Sequence, residues 1–153
     1  MFSSMSARRS SVFEKLVQDH RIVEKRLSEI ERTVDKDAAL REQLFKELQV
    51  MLEVHETFEE EVLYPEIDQI PQIVSMIGNA YEAHAEFDTI MRELSDSPVT
   101  DDEWMRRIGE LKEMVREHVR MEEESLFPAA HAKLAESRAE ELGRQLDARR
   151  NYL

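Results

Sequence analysis

Apolar residues recur at i, i+3, i+4 spacing along four long stretches of the chain, the pattern of amphipathic helices with one buried stripe each. The first stripe, Phe13, Leu16, Val17, Val23, Leu27 and Ile30, predicts a helix over about residues 11–31, opened by a Ser11/Glu14 capping box. Thr33 to Asp37 reads as a polar turn. A second helix then runs to about Tyr64 on Leu44, Leu48, Met51, Leu52, Phe58 and Val62. Pro65 to Pro71 is the next connection. The third helix spans about 71–95 with Ile73, Ile77, Tyr81, Phe87 or Asp88, and Met91 facing inward, and Ser95-Asp96-Ser97-Pro98 ends it. Thr100 with Glu103 caps a fourth helix that reaches about Phe127 on Trp104, Ile108, Leu111, Val115, Met121 and Leu126. Past Pro128, Leu134, Leu142 and Leu146 mark a short fifth helix opened by Ser137 and Glu140. Long helices with short joints favour antiparallel neighbours, so the expected fold is all-α: an up-down-up-down four-helix bundle with a short C-terminal fifth helix. Residues 1–10, rich in Ser and Arg, are expected to be a flexible N-terminus, and 11–153 a single domain.

The stripes also carry polar residues. His20, His55, His84 and His118 each fall within one. The second and fourth helices share more than a histidine. His55-Glu56-Thr57-Phe58-Glu59-Glu60-Glu61-Val62-Leu63-Tyr64-Pro65 is answered by His118-Val119-Arg120-Met121-Glu122-Glu123-Glu124-Ser125-Leu126-Phe127-Pro128, sixty-three residues later. On a helix a residue four positions on lies only about 40° around the axis, so His55 and Glu59 share a face, as do His118 and Glu122. Glu60 and Glu61, and their counterparts Glu123 and Glu124, rotate off it and read as solvated charges, and His131 as a surface residue. An isolated buried carboxylate costs several kcal/mol. Two of them, each beside a histidine, call for a positive charge, and the stripes hold no Lys or Arg to supply it. A metal site is the economical answer. Imidazole and carboxylate serve iron, zinc and manganese alike. Tyr81, one turn before His84, is a candidate for a supporting hydroxyl.

Composition narrows the function classes. Gly is 3 and Pro 4 of 153 residues, as a helical chain requires. A net charge of −13 argues against nucleic acid and against an anionic membrane surface. No cysteine means no thiolate ligand and no thiol chemistry. With no membrane-length apolar run and no signal-like start, a cytoplasmic location is expected. Two familiar motifs do not fit. His55-Glu56-x-x-Glu59 lacks the second His of zinc proteases, and the Glu-x-x-His of ferritin-like di-iron bundles occurs nowhere.

The order and spacing that do occur resemble the hemerythrin-like family, the HHE cation-binding domain. The likeness rests on Asp19-His20, His55-x-x-x-Glu59-Glu60 ending Leu63-Tyr64-Pro65, His84, and His118-x-x-x-Glu122-Glu123 ending Leu126-Phe127-Pro128. It implies a bundle holding two iron ions in an oxo- or hydroxo-bridged centre. His20, His55, His84 and His118 would be terminal ligands, and Glu59 and Glu122 would bridge. Where oxygen-carrying hemerythrins place a fifth histidine, one turn after His84, this chain has Asp88. About two coordination positions then stay open unless Asp88, Tyr81 or water fills them. The resemblance therefore implies a non-haem di-iron protein that binds or reacts with O2, NO or peroxide, in sensing or detoxification. Iron storage or donation, reversible O2 carriage, and a metal-clipped interaction module are the alternatives.

Overall fold

The computed structural model describes residues 11–150. The expected flexible segment 1–10 lies outside them. Five long helices form, with no strand among the described residues: α1 (Val12–Glu31), α2 (Ala38–Phe58), α3 (Val74–Ser95), α4 (Asp102–Met121) and α5 (Glu136–Arg149). The first four make the up-down-up-down bundle. Helix α1 lies against α2 and α4, α3 against α4, and α5 against α1. Helices α2 and α3 flank a cleft of about 540 Å³ whose wall includes Gln49, Glu53, Glu56, Glu60, Asp88 and Arg92.

Helix starts depart from expectation in detail. Ser11 does cap α1, its hydroxyl accepting from the Phe13 amide at 3.3 Å. Helix α4 is capped by Asp101 rather than Thr100, the carboxylate accepting from the Glu103 amide at 3.1 Å; an acid at that point also suits the positive end of the helix dipole. Helix α5 begins at Glu136 behind Ala135, with no side-chain cap, so Ser137 is already inside it. Tertiary contact sets that start: Arg138 forks onto Glu66 at 2.8 and 3.0 Å, and Ala139 is fully buried.

Neither α2 nor α4 stops where its α-pitch stops. Helix α2 continues through a wider π-turn, Glu59–Leu63, into Tyr64–Ile67, and α4 through Glu122–Leu126 into Phe127–Lys133. In each turn an amide bonds five residues back, Tyr64 to Glu59 and Phe127 to Glu122. The next residue is Pro65 or Pro128, which has no N–H, so one of the bonds that would hold the turn to α-pitch is missing. The Glu60 carbonyl, passed over in this arrangement, accepts the Tyr81 hydroxyl at 3.3 Å.

Two apolar clusters fill the interior. One gathers Leu16, Phe58, Leu63, Ile67, Ile77 and Phe127 with Leu142 and Leu146 of α5. The other gathers Leu27, Leu48, Leu94, Trp104, Ile108 and Leu111. Trp104 is fully buried and donates its indole N–H to the Leu94 carbonyl at 3.0 Å. Beside this second cluster Arg41, 1% exposed, ties two loops together: it donates to Thr33 and to the Val99 carbonyl, the latter at 2.6 Å. The histidines and glutamates of the four stripes lie between the two clusters.

Candidate metal centre

Each helix of the bundle delivers one imidazole to this middle layer, and all four turn the same nitrogen inward. Nε2 of His20 lies 3.1 Å from Oε1 of Glu122, and Nε2 of His118 lies 3.4 Å from that same oxygen. Glu59 receives the other two through separate oxygens, His55 Nε2 at 3.2 Å from Oε2 and His84 Nε2 at 3.2 Å from Oε1. Both carboxylates are 0% exposed, and the four imidazoles are buried. The i, i+4 spacing does what helical geometry requires, placing each Glu one turn beyond its His on the same face. All six residues singled out in the sequence thus meet at one depth of the bundle.

Several of the converging atoms satisfy no hydrogen bond among the described residues: His20 Nε2, His55 Nε2, Glu59 Oε2 and Glu122 Oε1 are all buried and unpartnered there. Buried polar atoms are normally paired, so a cluster of orphans aimed at one point is what a cation site looks like from the protein's side. The donors form two overlapping groups, His20, His55, Glu59 and Glu122 on one side and Glu59, His84 and His118 on the other. The residues present fit a pair of metal ions. Nitrogen and carboxylate donors without thiolate suit iron, zinc or manganese.

The outward-facing Nδ1 atoms have their own partners. His20 Nδ1 lies 2.7 Å from Glu123, His84 Nδ1 2.7 Å from Glu60, and His55 Nδ1 3.2 Å from Asp19. Glu60 and Glu123 are therefore not the solvated charges expected of them. Each stands on the flank of its stripe, and its long side chain reaches the back of an imidazole on the neighbouring helix. The internal repeat carried the signal, because the two acids occupy equivalent positions. Asp19 is held in turn by Arg150 at 2.5 Å, and Glu123 by Arg21.

Tyr64 is the other unforeseen residue. Only 1% exposed, it puts its hydroxyl 2.7 Å from Glu122 Oε2 and 3.0 Å from Glu59 Oε1. Its repeat counterpart Phe127 stacks on His20 much as Tyr64 stacks on His84, with no hydroxyl to offer. Neither residue raised as a further donor reaches the centre. Tyr81 is 42% exposed and bonded to the Glu60 backbone, while Asp88 is exposed on the α2–α3 cleft. His131 is exposed, as expected.

Charge is balanced within the layer. Burial alone would lower the His55 imidazole, but Glu59 and Asp19 beside it outweigh that and hold it well above its ordinary value. His20 is raised against its burial by Glu122 and Glu123. Glu59, Glu56 and Glu60 bring His84 up to about 9 in spite of burial. Burial would raise Glu122, yet His118 and His20 hold it well below the usual carboxylate range. Glu56, next to His55, behaves oppositely: burial, only partly offset by His84, pushes it up to about 8.

A cavity of about 20 Å³ is walled by the four histidines and by Val23, Leu52, Phe87, Val115 and Val119. About 10–15 Å³ suffices for one water-sized molecule, so there is room for one small guest.

The profile of the hemerythrin HHE cation-binding domain matches residues 11–130. The chain belongs to the hemerythrin HHE cation-binding family. The fold of this HHE chain is shared by a crystal structure of a hemerythrin HHE cation-binding domain-containing protein from Mycobacterium kansasii. That likeness has a TM-score of 0.79 at 23% identity and covers 91% of this chain and 84% of that one. No curated protein sequence matches the chain. No helix among the described residues is long and apolar enough to cross a membrane.

Proposed function

We propose that this HHE domain is a non-haem di-iron protein that binds or reacts with O2, NO or peroxide. The observation that carries the reading is the small cavity set directly against four imidazoles whose inward nitrogens face two buried carboxylates. When bound, a pair of irons supplies one-electron redox chemistry and open positions for a small ligand. His20, His55, His84 and His118 would hold the pair. Glu59, with one oxygen toward His55 and the other toward His84, and Glu122, between His20 and His118, would be shared by both ions.

The chain's own residues then determine what reaches the centre. The wall of Val23, Leu52, Phe87, Val115 and Val119 offers no hydrogen bond, so it favours an uncharged diatomic or hydrogen peroxide over a hydrated anion. Asp19, Glu60 and Glu123 fix the tautomer of three imidazoles by accepting from Nδ1, leaving Nε2 unprotonated for a metal. Tyr64 keeps a proton beside both carboxylates, because burial and those charges raise the phenol well above its ordinary value.

The test is metal analysis of the purified protein, followed by optical spectra after reduction and exposure in turn to O2, NO and peroxide. Two irons per chain and a ligand-dependent absorption change are expected. A chain with no iron, or with irons blind to all three ligands, overturns the reading. The acidic α2–α3 cleft, which reaches the Glu60 behind His84, favours a second reading, iron storage or donation. Loss of iron to a mild chelator within minutes would support it.

A further inference from the structure

The repeat that builds the centre is broken beside one histidine. Asp19 directly precedes His20 and stands 3.2 Å behind Nδ1 of His55 on the adjoining helix. The residue directly before His84 is Ala83. Its adjoining imidazole, His118, has no carboxylate behind it, and His118 Nδ1 is buried without a hydrogen-bond partner among the described residues. The other three imidazoles each have a carboxylate there. Such a partner fixes the ring and makes the metal-facing nitrogen more basic, and losing one costs about 10–100-fold in metal affinity.

Three further observations point the same way. The group containing His118 offers three donors, whereas the group containing His55 offers four. Glu59 Oε1, the oxygen near His84, is shared with the Tyr64 hydroxyl at 3.0 Å, while Oε2, near His55, has no hydrogen bond to compete with a cation. Asp19 is also anchored from behind by Arg150 at 2.5 Å.

Resting on the two-metal reading of the centre, we propose that its metal positions are unequal: the His20–His55 position fills first and tightly, and the His84–His118 position is the exchangeable one. Asp19, Glu123 and Glu60 are positioning residues, two serving the tight position and one the weak. Ala83 marks where the weak position lacks its second support.

Anaerobic titration of the metal-free full chain with Co(II), against a chromophoric chelator, tests this without recourse to oxygen chemistry. Wild type should take up two ions in steps separated by about 10–100-fold. Glu123→Gln should weaken the first step and bring the two together, whereas Glu60→Gln should weaken the second and spread them. Ala83→Asp, restoring the missing acid, should strengthen the second step. Two ions bound in one step of equal affinity, or Glu123→Gln and Glu60→Gln weakening the same step, would overturn the inequality. Saturation at one ion per chain would instead overturn the two-metal reading itself.

Discussion

The Tyr64 hydroxyl lies 2.7 Å from Oε2 of Glu122, and it reaches that carboxylate across the bundle from the end of the opposite repeat. Together with its 3.0 Å approach to Glu59 it is a neutral donor serving two fully buried acids. Removing a buried partner of this kind costs about 1–3 kcal/mol. Tyr64→Phe should lower the urea midpoint of the metal-free protein accordingly, with the m-value unchanged. An unaltered midpoint would show that the carboxylates do not depend on the phenol.

Glu59 and Glu122 each face imidazoles from both halves of the layer. Glu59→Ala or Glu122→Ala should therefore drop metal content well below two ions per chain, measured by mass spectrometry of the purified variant. Either variant retaining two ions would contradict a shared role.

Proton linkage gives the metal-free and metal-loaded chains opposite pH responses. His20, His55 and His84 are raised, so their contribution to stability is complete below the unfolded value of 6.5 and is lost as pH climbs through the folded values, about 9 for His84. Glu56, raised from 4.5 to about 8, also makes stability fall with rising pH across that interval. Glu122, held low, loses its contribution only as acid drives pH down through its depressed value. Thermal melts of metal-stripped protein should accordingly show Tm falling from pH 6.5 to 9. Metal needs neutral imidazoles, so ion retention should improve over the same window. A metal-free Tm that rises there would refute the balance of charges described above.

Arg41 supplies a control remote from the centre. Its truncation leaves the Val99 and Thr33 carbonyls unpaired and opens space beside Trp104, which it approaches at 6.0 Å. Arg41→Ala should cost about 3 kcal/mol or more in chemical denaturation while leaving metal stoichiometry intact.

The cavity wall can be altered without touching a donor. Val115→Phe should fill the 20 Å³ space, at about 1–3 kcal/mol for overpacking. Iron content should hold while the spectral response to O2 or NO slows or vanishes in stopped-flow mixing. Unchanged kinetics would place the ligand elsewhere.

The repeat and the helical stripes made the bundle and its six inward donors legible in the sequence, because a period of 3.6 residues reports directly on which side chains share a face. What supports those donors was not legible in the same way. Glu60 and Glu123 belong to the right helices but act on imidazoles of other helices, and periodicity along one helix carries no information about its neighbour. Tyr64 looked like a simple match for Phe127, and only the third dimension shows its hydroxyl between two acids. The π-turns escaped notice because the residues around Pro65 and Pro128 still read as ordinary helix ends. Helix starts went astray by one residue at Asp101, where several polar neighbours compete for the same role, and by two at Glu136, where tertiary contact rather than a side-chain cap sets the start.

The two π-turns begin at Glu59 and Glu122, so the backbone is least regular at the very residues through which the halves of the bundle meet. Binding of ions there would act like mortar between two courses of brick, stiffening the joint while the apolar blocks on either side hardly change. Amide hydrogen exchange should register this as a band of slowed exchange over 59–63 and 122–126 on loading, with the far ends of all four helices unaffected.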